Sequence, residues 1–202
     1  MQRTALGSRD RKLLESATRV VGVDEVGRGC LAGPVAVCGV AFEKIPANPL
    51  VQDSKTLTPR QRERAAQWIT DSCSDWVVLE VWPEVIDRIN ILEAVRLAMR
   101  AAVTVLAGAR TVAVVDQVEL GPLDCPVVAR PKADSEFFSV AAASVVAKVH
   151  RDRLMVDLSG KHQHWGWPTN KGYGTAEHRK ALEKHGPSYI HRRSFRWSPV
   201  LP

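Results

Sequence analysis

Apolar and polar positions along the chain fall into two regimes. Short apolar runs of strand length alternate with longer stretches at helical spacing. Arg19–Val23 is one such run, ending at Asp24, and a turn at Gly27-Arg28-Gly29 separates it from Pro34–Phe42. The two segments predict an antiparallel hairpin. Trp76–Val81, Val112–Val115 (ending at Asp116) and Val127–Arg130 predict three further strands. Thr58 as a cap, Pro59 in the first turn and Gln61 closing a capping box predict a helix to about Thr70. Pro83–Asn90 predicts a short helix. Ile91–Leu106 predicts a longer one, with Leu92, Val95, Met99, Ala102 and Leu106 on one face and Gly108 beyond its end. A long helix is expected to open at Asp134 or Ser135 and run to about Leu158, with Ala141–Ser144 small enough to press on a sheet. After an irregular Lys161–Gly174 loop comes Thr175–Lys184, a helix stopped by Gly186-Pro187. Strands alternating with helices after an opening hairpin predict an α/β fold, a mixed sheet with helices on both faces. The expected partition is a polar segment at 1–18, a core at 19–158 and a basic helical segment and tail at 159–202.

At 202 residues and 45% hydrophobic content, the chain can bury one substantial core. No apolar run reaches the ~20 residues of a membrane span, and Met1–Lys12 has no apolar signal region. A cytoplasmic protein without membrane contact is expected. Cys30, Cys38, Cys73 and Cys125 form no C-x-x-C pair, so they read as reduced thiols rather than a zinc site.

Charge changes the picture through its position. The whole formal +6 is accounted for by Lys161–Arg196, where eight Lys/Arg face two acids and alternate with Trp165, Trp167, Tyr173, Tyr189 and Phe195. Cations interleaved with aromatic rings suit a sugar-phosphate backbone, although a solvated helical face has the same composition.

Asp24 and Asp116 both end apolar strand-like runs, and carboxyl ends of neighbouring strands form the functional edge of α/β sheets. Glu25 adjoins Asp24, and Asp134 stands near a helix start, where it could equally be a cap. Four gathered carboxylates repel one another unless cations lie between them. All-oxygen ligands suit Mg²⁺ or Mn²⁺, and two such ions roughly 3.5–4 Å apart serve in-line phosphodiester attack.

These residues belong to blocks that resemble the type 2 ribonuclease H family (bacterial ribonuclease HII). Asp24-Glu25-Val26-Gly27-Arg28-Gly29 with Leu31-Ala32-Gly33-Pro34-Val35 is similar to the family's opening signature, and Asp53-Ser54-Lys55 to its second block. Asp134 with Ala141–Ser144, Ala147-Lys148 and Arg151-Asp152 is similar to the third. Asn170–Thr175 with His178 matches the fourth, and Gly186-Pro187 with His191–Phe195 the last. The blocks span Val20 to Phe195 in order.

The resemblance implies a ribonuclease H-like fold with a small C-terminal helical extension. It implies Asp24, Glu25, Asp116 and Asp134 as the metal-binding and catalytic acids, with Mg²⁺ or Mn²⁺ as cofactor and two ions in the working site. It implies that Gly27, Arg28, Gly29 and Tyr173 read an RNA–DNA junction in an RNA/DNA hybrid or a ribonucleotide-containing duplex. On this view Asp24 bridges both ions, Asp116 and Asp134 complete the shells, and Glu25 either binds metal or orients its neighbour.

Two departures stand out: Gln117 follows Asp116 where the family usually has Gly, and Cys30 occupies a position often held by Pro. No clamp-binding motif is seen, and a monomer is expected. Lys55, Lys148, Lys171, Arg192 and Arg193 are candidate phosphate contacts. Tyr173, between glycines, is expected on a mobile, exposed loop, offering a ring face to a sugar and a hydroxyl to a 2′-OH. His178 reads either as a helix-surface residue or as a holder of the Tyr173 loop. Trp165 and Trp167 read as packing residues, with stacking on substrate as the alternative. A different nuclease of this fold, a non-catalytic nucleic-acid-binding module and a metal-stabilised structural protein are the competing functions.

Overall fold

The computed structural model describes residues 6–46, 51 and 57–196. Five strands form one sheet: β1 (Arg19–Val26), β2 (Val35–Phe42), β3 (Asp75–Val81), β4 (Thr111–Asp116) and β5 (Val127–Arg130), in the order β3-β2-β1-β4-β5. β1–β2 and β2–β3 are antiparallel; β1–β4 and β4–β5 are parallel. Around it lie α1 (Ser8–Leu13), α2 (Pro59–Ser72), α3 (Pro83–Ile89), α4 (Ile91–Leu106), α5 (Phe138–Ser159), α6 (Trp167–Asn170) and α7 (Ala176–His185).

The expected hairpin is present, with Val20 opposite Phe42 and Val26 opposite Ala36. Its apolar runs are continuous rather than alternating because both sheet faces are covered. One face packs on α4, with Val95, Met99, Ala102 and Leu106 buried against Val21, Val23 and Val37. The other packs on α5 and α2, with Ala141, Ala142, Ala143 and Ile69 around Val40 and Phe42. The small face of α5 lets its backbone approach β1 closely. A Cβ at Gly22 would lie 2.1 Å from the Ser139 carbonyl carbon, so only glycine fits.

The capping box of α2 forms as expected, with Thr58 N–H donating to Gln61 Oε1 at 2.9 Å. α5 begins differently. Asp134 does not cap it: Ala133–Ser135 is a separate 3₁₀ turn and the helix starts at Phe138. The cap comes from α1. The buried Asp10 accepts from Phe138 N–H at 2.7 Å, Ser139 N–H at 3.1 Å and Ser139 Oγ at 2.6 Å. Such caps contribute about 0.5–2 kcal/mol, and this one fixes the helix that carries Ser144, Lys148 and Arg151 to the cleft. The Lys161–Gly174 stretch is more ordered than expected, with a 3₁₀ turn at Gln163–Trp165 followed by α6. No helix among the described residues is long and apolar enough to cross a membrane.

Candidate active site

The parallel pairing of β1 and β4 ends at Val23 beside Val115, so Asp24 and Asp116 follow side by side at the carboxyl ends of adjacent strands. Asp134, in the 3₁₀ turn between β5 and α5, lines the same cleft, as does Glu25. The cleft holds about 360 Å³ and is also lined by Gly27, Arg28, Gly29, Arg62, Ser144, Lys148 and Tyr173. The tertiary structure thus brings together the four acids that the sequence separates by up to 110 positions.

The electrostatics of the cleft are strained. Burial, then the neighbouring Glu25, push the Asp24 carboxyl up to about 8; the Ser144 hydroxyl and the Glu25 N–H (2.8 Å) bond to it and oppose the rise, while Asp116 adds to it. Burial also raises Glu25, against the Arg28 guanidinium 3.7 Å away. Its Oε2 is buried with no hydrogen-bond partner among the described residues. A cation beside these groups would offset both the unpaired Glu25 oxygen and the pressure on Asp24 towards neutrality. The acids line one cleft, although among the described residues no three of them converge into a ready-made ligand set. The all-oxygen donors fit a hard divalent cation.

The Gly27-Arg28-Gly29 turn contains two different glycines. Gly27 has φ +85, and a Cβ there would lie 2.1 Å from Arg151 Nε. Gly29 has no such reason among the described residues: a Cβ there would meet none of them within 4 Å. Space is therefore open above the Gly29 backbone, on the wall of the cleft.

Two buried arginines hold this turn from behind. Arg151 donates to the carbonyls of Pro34 (2.9 Å), Lys171 (2.8 Å) and Ala32 (3.0 Å). Arg192 donates to those of Gly33 (3.0 Å) and Arg28 (2.8 Å), and burial pulls its guanidinium down to about 10. Arg192 is 0% exposed. It was read above as a phosphate contact, but here its guanidinium meets main-chain carbonyls inside the protein. Arg193 is exposed, with its N–H bonded to Asp87 at 2.9 Å.

Tyr173 is 39% exposed and lines the cleft. Lys148 Nζ lies 5.8 Å and Arg151 Cζ 5.9 Å from its ring centre, and burial raises its phenol. Cys30, buried beneath, interacts with the Tyr173 hydroxyl and donates its thiol to the Lys171 carbonyl at 3.8 Å. The loop is exposed at Tyr173 as expected, and main-chain hydrogen bonds hold it on both sides. Tyr173 N–H donates to Asn170 O at 2.9 Å, the Gly172 carbonyl accepts from Leu31 N–H at 2.8 Å, and Thr175 N–H donates to Tyr173 O at 2.8 Å. Lys148 pairs with Asp152 at 2.7 Å. Lys171 turns back to the Pro168 carbonyl and lines a groove that neighbours the cleft. Lys55 lies outside the described residues.

His178 is fully buried rather than on the helix surface. Arg62 and Ser144 were not singled out from the sequence. Arg62 carried no local signal. Ser144 is visible in the sequence as part of a small-residue run and of the third family-like block, without a role of its own; its hydroxyl meets Asp24 because α5 crosses β1 there. Gln117 has φ +57, the left-handed conformation that explains why glycine suits this position. The turn survives with Gln117 N–H bonded to Arg130 O at 3.1 Å.

Comparison with known proteins agrees with the fold and shows the family. The profile of the ribonuclease HII family matches residues 21–198. A ribonuclease HII of Chlorobaculum parvum is 45% identical over 189 residues, covering 91% of this chain and 92% of that protein. The crystal structure of ribonuclease H2 from Pyrococcus horikoshii is similar with a TM-score of 0.75 and 29% identity, over 89% of this chain and 94% of that one. The Archaeoglobus fulgidus RNase HII, solved in a complex with PCNA, is similar with a TM-score of 0.75 and 30% identity, over 88% and 95% of the two chains.

Proposed function

Because the chain belongs to the ribonuclease HII family, we propose that this ribonuclease H cuts the RNA strand of RNA/DNA hybrids and incises duplex DNA on the 5′ side of an embedded ribonucleotide. The observation that carries the finer part is the open space above Gly29 beside Tyr173, on the wall of a cleft whose floor is four acids. A glycine with no intramolecular need for its missing side chain supports close approach of a ligand to the backbone. A 2′-OH can then meet main-chain amides of the Gly27–Gly29 turn while the Tyr173 ring covers the neighbouring sugar.

Asp24, Glu25, Asp116 and Asp134 would hold two Mg²⁺ or Mn²⁺ ions, and the orphaned Glu25 oxygen and the raised Asp24 support that fit. When bound, the ions lower the pKa of water and offset charge on the leaving oxygen. Ser144 and the Glu25 N–H orient the Asp24 carboxylate. Arg28 and Lys148 bring positive charge to the rim for backbone phosphates. Arg151 and Arg192, by drawing carbonyls of the Leu31–Pro34 segment and Arg28 inward, fix the recognition turn. With water as nucleophile the 2′-OH serves recognition only, and the ends are 3′-hydroxyl and 5′-phosphate. A role in ribonucleotide removal from DNA and in RNA primer degradation follows from that specificity.

The test is cleavage mapping on a DNA duplex carrying one ribonucleotide, with Mg²⁺ or Mn²⁺. A single cut 5′ to the ribonucleotide with 3′-hydroxyl and 5′-phosphate ends is expected. A 2′,3′-cyclic phosphate would make the 2′-OH the nucleophile and defeat the proposal. Tyr173→Ala should lose roughly tenfold or more in kcat/KM on this substrate, given ~1–3 kcal/mol per ring–nucleotide contact. Wild-type efficiency would remove Tyr173 as a reader.

A further inference from the structure

Behind the Tyr173 loop lies a hydrogen-bond chain whose direction can be deduced. Ser188 N–H donates to His191 Nδ1 at 2.9 Å. A backbone amide only donates, so this nitrogen carries no proton. Burial, then the neighbouring His178, pull the His191 imidazole down to about 4, so the ring is neutral and its proton sits on Nε2. That Nε2–H donates to His178 Nε2 at 3.1 Å. Trp167 Nε1–H points at the same acceptor from 3.4 Å. His178 Nε2 therefore accepts, and its proton sits on Nδ1, which donates to the Tyr173 carbonyl at 2.9 Å. The sense runs one way: Ser188 to His191 to His178 to Tyr173. Both rings are buried, and His191 packs against the stacked pair Trp165 and Trp167 at centroid distances of 5.3 and 5.6 Å. His191 also stands opposite Ala32 as an isolated bridge, which joins the chain to the segment behind the recognition turn.

We propose that His191 and His178 are positioning residues for junction recognition: the directed chain of two neutral imidazoles sets the main chain of Tyr173, and so the ring that covers the substrate sugar. The inference rests on the Tyr173 reading given under Proposed function. Neither imidazole touches substrate; each acts through the next group in the chain. Two protons in fixed places give the chain a single register, which a packing-only cluster of rings would not need.

The experiment is a double-mutant cycle on kcat/KM with a duplex carrying one ribonucleotide. His191→Phe keeps an aromatic ring against the two tryptophans and removes the ring's hydrogen bonds to Ser188 and His178. His178→Leu removes the bond to Tyr173, while His178→Asn keeps a donor near the Nδ1 position. His191→Phe and His178→Leu should each lose roughly tenfold, the order expected for an orphaned buried partner. His178→Asn should recover much of that loss. In the Tyr173→Ala background, His191→Phe should cost less than about twofold, because coupled residues are non-additive. Multiplying losses with an impaired Tyr173→Ala would overturn this inference alone. A silent Tyr173→Ala would defeat the reading of Tyr173 and this inference with it. Imidazole ¹⁵N shifts of the wild-type protein check the register without any variant: His191 Nδ1 bare and His178 Nδ1 protonated are expected, and the reverse would overturn it.

Discussion

The main-chain N–H of Ala133 donates to Oδ1 of Asp116 at 3.0 Å. This bond ties the 3₁₀ turn that carries Asp134 to the strand end that carries Asp116. It brings together two of the acids proposed to hold metal, and it leaves the other Asp116 oxygen for the cleft. A carboxylate anchored in this way is pre-oriented, so the side chain loses little freedom when a cation binds.

Asp116→Asn and Asp24→Asn should lose cleavage while keeping substrate affinity, because affinity comes mainly from phosphate contacts. A lost ligand to a charge-stabilising ion removes several kcal/mol, so kcat should fall by about a thousandfold or more. Single-turnover rates and a binding isotherm separate the two effects. Wild-type rates from either variant would sink the metal assignment.

Metal removal should expose a pH-dependent strain at Asp24. Its folded carboxyl is raised from 3.8 to about 8, so the folded state holds the proton more tightly than the unfolded state. The stability this confers is fully present below pH 3.8 and is lost as pH rises through about 8. His191, lowered from 6.5 to about 4, works in the opposite sense: its contribution is present above 6.5 and is lost as pH falls towards 4. Comparing Tm of Asp24→Asn and wild type in chelator cancels the histidine part. The variant's advantage should grow from pH 4 to pH 8 and shrink when Mg²⁺ is added. A pH-independent difference would mean that Asp24 ionises without cost.

Gly27 and Gly29 should respond differently to alanine. Gly27→Ala combines a positive φ with a Cβ 2.1 Å from Arg151, and should cost roughly 2–4 kcal/mol of stability. Gly29→Ala should leave stability within about 0.5 kcal/mol yet raise KM for the ribonucleotide-containing duplex. Unchanged KM in Gly29→Ala would show that the space above its backbone is not used by substrate.

Gln117→Gly should stabilise the protein modestly. Relief of the left-handed conformation is worth ~1–2 kcal/mol, less the ~0.5–1 kcal/mol of backbone entropy that glycine adds to the unfolded chain. Thermal melting should show a rise of about 1–4 °C at this chain length. A fall would mean that the Gln117 side chain makes a compensating contact.

The amino-acid sequence by itself determined the strands, the long helices and the family. Each of these rests on local pattern: a continuous apolar run for a strand covered on both faces, the Thr58–Gln61 box for a helix start, ordered blocks such as Asp24–Gly29 and Asn170–Thr175 for the relationship. Tertiary structure alone decided what each polar side chain faces. Asp10 caps a helix 128 residues away, and no local periodicity contains that contact. Arg192 and Arg193 are adjacent cations of one type, yet one is buried against main-chain carbonyls and the other is exposed. His178 reads from the sequence either as a helix-surface residue or as a holder of the Tyr173 loop, and the packing of α7 on Trp167 and His191 buries it against that loop. The charge and hydrogen-bonding capacity of a side chain are written in the sequence. Its partner depends on which distant backbone the packed core brings within about 3 Å, and only the folded chain supplies that.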